Sequence, residues 1–502
     1  MANRLAQSAK TTAAPYIEVH ETHTGVVMLA GDRAFKAKKP VLTDFLDFRT
    51  PEQRERACLR EVELNRRLSP ESYLGVAHLT DPSGGPAEPI VVMRRYREDD
   101  RLASIVTGDW PEQSVLGVLD RIAGVLARFH ENAERSWVIS AQGKPDAIEG
   151  RWHENLSELK RYAVKASSGL SGPSLSRIQR LVTEFILGRV ALLASRIEDG
   201  CVLDGHGDLL ADDIFCPDGQ LAVLDCLEFD DELRFVDRID DASFLAMDLE
   251  FLGRRDFAEY FLNRYIAYSA DTAPQSLRDF YIAYRAVVRA KVDCVRLSQG
   301  RSAAKAGAAT HLDIALRHLE NGAVRLALIG GNPGTGKSTL AHALAEDVGA
   351  QVISTDDVRL ELRESDGITG SPGVLDAGLY TPDNVATVYE AALRRAQKLL
   401  GSGQSVILDA TWRDPKMRAE ASILAAKTHS ALVELMCVAK VDVAANRIRA
   451  RRPGNSDVTP EIAEEMSAQN NRWETAYRVD TSCGLEYSLL RAHNFWFEAT
   501  HK

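Results

Sequence analysis

The sequence predicts two differently built domains, an α+β domain that opens with antiparallel strands and an α/β domain laid on a parallel sheet. Residues 16–48 fall into short apolar runs broken at Gly25 and again at Gly31-Asp32, the punctuation of a β-meander. Later, the apolar runs 324–330, 351–355, 405–411 and 431–439 are separated by stretches of helical spacing, as buried parallel strands require. A chain of 502 residues also exceeds what one hydrophobic core usually organises.

After the meander, helical spacing begins at Pro51, a residue suited to a first turn, and runs to Leu68 with Leu59 and Val62 on one face. Residues 89–96, PIVVMRRY, read as a further strand. Helical spacing then covers 115–136, 154–165, 175–198 and 253–320, while 201–229 holds two short strands around a polar loop. The style changes across 305–323. That places the domains at 1–315, with a small lobe of about 16–95 and a large lobe of about 96–315, and at 322–502.

Hydrophobic residues make up 45% and charged residues 26%, the balance of an ordinary globular chain. The N-terminus lacks the continuous apolar stretch of a signal peptide and no run approaches the length that spans a bilayer, which predicts the cytoplasm and no membrane partner. A net charge of −11 disfavours a broad nucleic-acid surface. Seven cysteines, at 58, 201, 216, 226, 294, 437 and 483, form no C-x-x-C pair and are expected as reduced, mostly buried thiols.

Gly331-Asn332-Pro333-Gly334-Thr335-Gly336-Lys337-Ser338 matches G-x-x-x-x-G-K-[ST], with a strand before it and a helix beginning at Ser338-Thr339 after it. The glycines let backbone N–H groups converge on phosphate oxygens at the positive end of that helix. Lys337 is expected to reach the β- and γ-phosphates and the Ser338 hydroxyl to bind Mg²⁺, so ATP and Mg²⁺ are the expected cofactors. Asp409 ends its apolar run where a carboxylate can orient the Mg²⁺ hydration shell; an Asp there is also a common helix cap.

Ser354-Thr355-Asp356-Asp357-Val358-Arg359 follows the second strand of this region and resembles the D-x-x-R of small P-loop kinases such as polynucleotide kinase, gluconate kinase, chloramphenicol phosphotransferase and zeta toxin. The resemblance implies that Asp356, in preference to Asp357, accepts the proton of a substrate hydroxyl, and that Arg359, in preference to Arg363, binds substrate or phosphate. Arg447-Ile448-Arg449-Ala450-Arg451-Arg452 stands where those kinases carry an arginine-bearing lid, and Arg447 and Arg451 lie one helical turn apart.

Upstream, HGDLLADDIFCPDGQLAVLDCLEF (206–229) resembles the catalytic and metal loops of aminoglycoside phosphotransferases and their protein-kinase-like relatives. It implies a bilobal protein-kinase-like fold over roughly 16–300, with Asp208 taking the hydroxyl proton and Asp225 holding Mg²⁺. Asp213 stands where that family has Asn, and adds a negative charge beside a triphosphate. Lys36 and Lys38 share a strand face and either could contact phosphate, with Glu61 as ion-pair partner. The Gly-rich loop is reduced to Gly25 in Thr22-His23-Thr24-Gly25, and Met93-Arg94-Arg95 falls at the hinge. The acidic stretch Glu228, Asp230, Asp231, Glu232, Asp237, Asp240 and Asp241 reads as a solvated face or one open to a cationic substrate.

The order of the two domains looks like a bacterial family of predicted bifunctional kinases. Its implied activity is transfer of the ATP γ-phosphate to a hydroxyl of a small molecule. Two other readings compete: a nucleotide-binding regulatory protein with a pseudokinase scaffold, motivated by Asp213, and a nucleic-acid 5′-hydroxyl kinase. The acceptor and the oligomeric state are not legible in the sequence.

Overall fold

The structure, a computed structural model, describes residues 17–21, 25–42, 47–80, 82–85, 87–163, 170–371, 377–450 and 472–501. By packing the chain divides into two compact units, one of residues 1–139 with 202–271 and one of 140–201 with 272–502.

The first unit is built on a five-stranded antiparallel sheet in the order β1-β2-β3-β5-β4. Its strands are β1 (Ile17–Glu21), β2 (Gly25–Ala30), β3 (Arg33–Lys38), β4 (Tyr73–Leu79) and β5 (Glu88–Arg94). The meander is therefore as expected, and β4 joins it from a stretch with no clear alternation. Between β3 and β4, the helix Pro51–Asn65 starts in a capping box, in which the Thr50 hydroxyl accepts from Gln53 N and the Gln53 side chain accepts from Thr50 N. Cys58 and Val62 of that helix pack on Tyr73, Val91 and Met93 of the sheet. The rest of the unit comprises the helices Glu112–Asn132, Arg238–Phe251 and Arg255–Ser269 and two short antiparallel ladders. These ladders pair β6 (Val202–Asp204) with β9 (Phe235–Asp237) and β7 (Ile214–Phe215) with β8 (Ala222–Val223).

The second unit holds a five-stranded parallel sheet in the order β11-β12-β10-β13-β14. Its strands are β10 (Arg325–Gly330), β11 (Gln351–Ser354), β12 (Val406–Asp409), β13 (Ala431–Val438) and β14 (Tyr477–Asp480). Period-two alternation divides β10 between two cores: Leu326 and Leu328 face one, Ala327 and Ile329 the other. Both faces are thus covered, which is why the sequence shows unbroken apolar runs. The four expected strands are present, and β14 adds a fifth.

The helices of 140–201 and 272–321 pack with this sheet, so the compact units cut across the expected segmentation at 315–322. Two buried arginines show why. Arg189 donates to the Leu400 and Thr428 carbonyls, and Arg325 to those of Glu320, Ala323 and Trp496. Each guanidinium meets carbonyls at or just beyond helix C-termini, where the intrahelical ladder ends. No helix among the described residues is long and apolar enough to cross a membrane.

Candidate functional site

In the first unit, β3 presents Lys36 and Lys38 on one face, and the helix Pro51–Asn65 brings Glu61, with no exposed surface, between them. Lys36 Nζ lies 2.9 Å from Glu61 Oε1 and 2.5 Å from Asp225 Oδ1. Lys38 Nζ lies 2.6 Å from Glu61 Oε2 and also pairs with Glu228. The expected Lys–Glu pair is therefore doubled. Burial works to raise the Glu61 carboxyl, but the two ammonium groups outweigh it and hold it below its ordinary value. Burial likewise opposes the charge on Lys36, yet Asp225 and Glu61 raise it well above the usual lysine range.

Asp225 adopts a left-handed backbone with φ 61°, and its N–H donates to the Tyr73 hydroxyl at 3.1 Å. Lys36 more than offsets the burial that would raise Asp225 and keeps it ionised. Among the described residues Asp213 has no such partner of opposite charge at ion-pair distance. Burial first, then Asp225 and Asp208, push its carboxyl well above the ordinary range. Asp213 thus senses both other carboxylates of the Asp loop.

Sequence reasoning missed what fixes this loop. Asp241 accepts from His206 N at 2.7 Å, Gly207 N at 2.9 Å and His130 Nε2 at 2.9 Å. A Cβ on Gly205 would lie 2.5 Å from Asp241 Oδ2, so glycine there admits the carboxylate. Burial pushes His206 down to about 4, so the ring is neutral at pH 7. The acidic stretch is not one open face: Asp237, Asp240 and Asp241 are buried. Asp237 caps the helix Arg238–Phe251, Glu228 pairs with Lys38, and Asp231 with Arg60 and Arg234. The apolar run around Asp240-Asp241 was the available signal, since a helix apolar on every side buries its acids.

In the second unit, β10 runs into Gly331–Gly336 and the helix Lys337–Val348. Gly331, Gly334 and Gly336 have φ of 134°, 78° and 80°. A Cβ would meet Cys437 O at 2.4 Å from Gly331, and Ala444 O at 2.6 Å from Gly334. Lys337 Nζ donates to Asn332 O at 3.2 Å and Thr335 Oγ1 to the same carbonyl at 2.7 Å. Asp409, at the end of β12 and 5% exposed, is opposite Ile329 of β10 and Ser354 of β11. Burial raises its carboxyl, with Asp356 adding to the effect and Lys337 and a hydrogen bond with the Ser338 hydroxyl opposing it.

Ser354 caps the helix Thr355–Glu364 by accepting from Asp356 N. Asp356 Oδ1 is 2.6 Å from Arg359 Nη1, and that guanidinium lies 4.6 Å from the centre of the Tyr380 ring. Arg359 Nε is buried without a hydrogen-bond partner. Asp357 and Arg363 are exposed, so the preferred pair of the D-x-x-R is the one brought together. Arg447, on the helix Val441–Arg449, donates to Thr481 Oγ1 at 3.1 Å and Thr481 O at 2.8 Å, and its Nη1 would be 3.3 Å from a Cβ on Gly336. Arg451, like Thr22–Thr24, lies outside the described residues. Thr481, which also donates to Thr335 O at 2.7 Å, was not legible as part of the site.

The crowded glycine cradle, with N–H groups at a helix start, fits a polyphosphate, and Ser338 with Asp409 are the residues able to hold a divalent cation beside it; in the first unit that role falls to Asp225 with Asp213. No group of three or more His, Cys, Asp or Glu side chains is preassembled for a metal among the described residues.

The family described as AAA domain matches residues 326–472. Over 488 residues, the chain is 63% identical to Uncharacterized protein Rv2004c of Mycobacterium tuberculosis (strain ATCC 25618 / H37Rv), covering 97% of each chain. Identity and coverage are the same with Uncharacterized protein Mb2027c of Mycobacterium bovis. Among solved structures, a gluconokinase from Sinorhizobium meliloti 1021 is 19% identical over 35% of this chain and 94% of that chain, with a TM-score of 0.27. A choline/ethanolamine kinase family protein from Mesorhizobium loti is 14% identical over 62% of this chain and 94% of that chain, with a TM-score of 0.36.

Proposed function

The chain belongs to the family of these two mycobacterial proteins, and from that premise we propose that it is an ATP-dependent phosphotransferase that phosphorylates a hydroxyl of a small molecule at its P-loop. One observation carries the reading: the Asp356–Arg359 pair stands at the carboxyl end of the parallel sheet, near enough to Asp409 to act on its charge. ATP with Mg²⁺ supplies the phosphoryl group and the charge neutralisation. Lys337 and the backbone N–H groups of the loop 331–339, Pro333 excepted, bind the phosphates, while Ser338 and Asp409 would hold the cation. The acceptor oxygen attacks the γ-phosphorus as the bond to the bridging β–γ oxygen breaks, and Asp356 takes the acceptor proton. Arg359 and Arg447 stabilise the charge on the transferring group.

In the first unit, Lys36, Glu61 and Asp225 support a second MgATP site, with Asp208 as base. Asp213 favours a second reading of this unit as a nucleotide-binding regulator, because a third carboxylate beside Asp208 and Asp225, in place of a neutral Asn, adds negative charge where a triphosphate would bind. ATP consumption by the intact protein against sugars, nucleosides and aminoglycosides tests the proposal. Acceptor-dependent ADP release lost in Lys337→Ala supports it; release undiminished in that variant contradicts it. MgATP binding that survives in Lys337→Ala and is abolished by the further change Asp225→Ala separates the first unit's site from the P-loop.

A further inference from the structure

The second unit contains a cavity of about 330 Å³ that none of the site residues touches. Val324 and Ala431 lie in its wall, directly before β10 and at the start of β13, so it sits at the amino end of the parallel sheet. The P-loop leaves the other end of β10. Six residues at ~3.3 Å each put the two about 20 Å apart.

The wall has an apolar side and a cationic side. Phe185 and Phe280 line it with rings stacked 4.1 Å between centroids. Arg180 lines it with its Nη1 2.8 Å from Glu184 and its Nη2 2.6 Å from Thr500 O. Arg189, 1% exposed, bonds among the described residues to the carbonyls of Leu400, Thr428 and His429 and to the Ser430 hydroxyl. No carboxylate is among its partners and its Nε has none. Burial alone pushes that guanidinium down to about 10, the mark of a cation without a counter-charge. Glu184 is committed to Arg180, so the wall carries one positive charge unbalanced.

We infer that this cavity is a binding site for a small organic anion with an aromatic or similarly flat apolar body, distinct from the nucleotide site. The ring pair takes the apolar part, and the anionic group lies toward Arg180, in the field of Arg189. A cavity of this volume is of the size that holds one small ligand.

Two fluorescent probes of the same shape test the charge requirement on the intact protein saturated with MgATP: 8-anilinonaphthalene-1-sulfonate and its uncharged counterpart N-phenyl-1-naphthylamine. The sulfonate is expected to bind at one site about tenfold more tightly than the neutral probe. Arg180→Met is expected to abolish that preference while leaving the neutral probe's affinity unchanged. Ala426→Trp, which narrows the cavity from another wall, is expected to remove binding of both probes. Melting temperatures within a degree of the parent show that the variants fold. Equal affinity for the two probes, no saturable binding in the presence of MgATP, or binding unchanged in both variants overturns the inference.

Discussion

Arg189→Met isolates the tie between the helices of 140–201 and the parallel-sheet core. The guanidinium donates to two buried helix-end carbonyls, Leu400 and Thr428, which also accept from Gly403 N and from the Ser430 hydroxyl. Losing the four hydrogen bonds of this buried side chain, at about 0.5–1.5 kcal/mol each, removes about 2–6 kcal/mol, and methionine keeps most of the packing volume. Relief of the guanidinium's own desolvation offsets part of this, so the net loss is about 2–3 kcal/mol. For a unit of this size that corresponds to a fall of roughly 3–5 °C in melting temperature. Scanning calorimetry of the intact protein measures it, with Arg189→Lys expected to fall between, since it keeps charge but loses the fork. A shift below about 1 °C would refute the argument that Arg189 satisfies those helix ends.

Three further outcomes are expected. In Glu61→Gln, Lys36 and Lys38 stay buried without their shared carboxylate, so a loss of about 3–5 kcal/mol is expected in the transition of the first unit, read by urea unfolding. Asp213 is raised above its unfolded value of 3.8, so the folded state holds the proton longer and this group's contribution falls as pH rises through that window. Asp213→Asn removes the loss, and its melting temperature should exceed the parent's by more at pH 8 than at pH 5; an equal gain at both speaks against the shift. Burial pushes the Cys58, Cys226 and Cys437 thiols up to about 12, whereas Cys483 is exposed. A disulfide reagent should therefore modify one thiol rapidly in the native protein and seven after denaturation.

What the sequence showed and what it hid divide by range. The P-loop was legible because its chemistry is contained in eight consecutive residues with a strand and a helix at its ends. Asp356, Arg359 and Arg447 were legible by offset from a strand. The fifth strand, Tyr477–Asp480, was not, since its alternation of polar residues at the sheet edge reads as loop. Asp241 and Thr481 act on loops 34 and 146 residues away, a distance over which no local pattern survives. The helical stretch 175–198 breaks at Arg189, where the side chain turns to cap the ends of other helices. The boundary near 315–322 marked a real change of style from helical hairpin to parallel sheet. Packing does not follow that change, because Arg189 joins a helix on one side of it to carbonyls on the other, and Arg325 of β10 donates back to the Glu320 carbonyl before it.

The most direct test of the central claim is phosphorus NMR of the intact protein with MgATP and a pool of small hydroxyl compounds. The account predicts a new phosphoester resonance with the parent protein, retained in Asp225→Ala and lost in both Lys337→Ala and Asp356→Asn. A phosphoester that persists in Lys337→Ala, or release of inorganic phosphate alone whatever the acceptor, would contradict it.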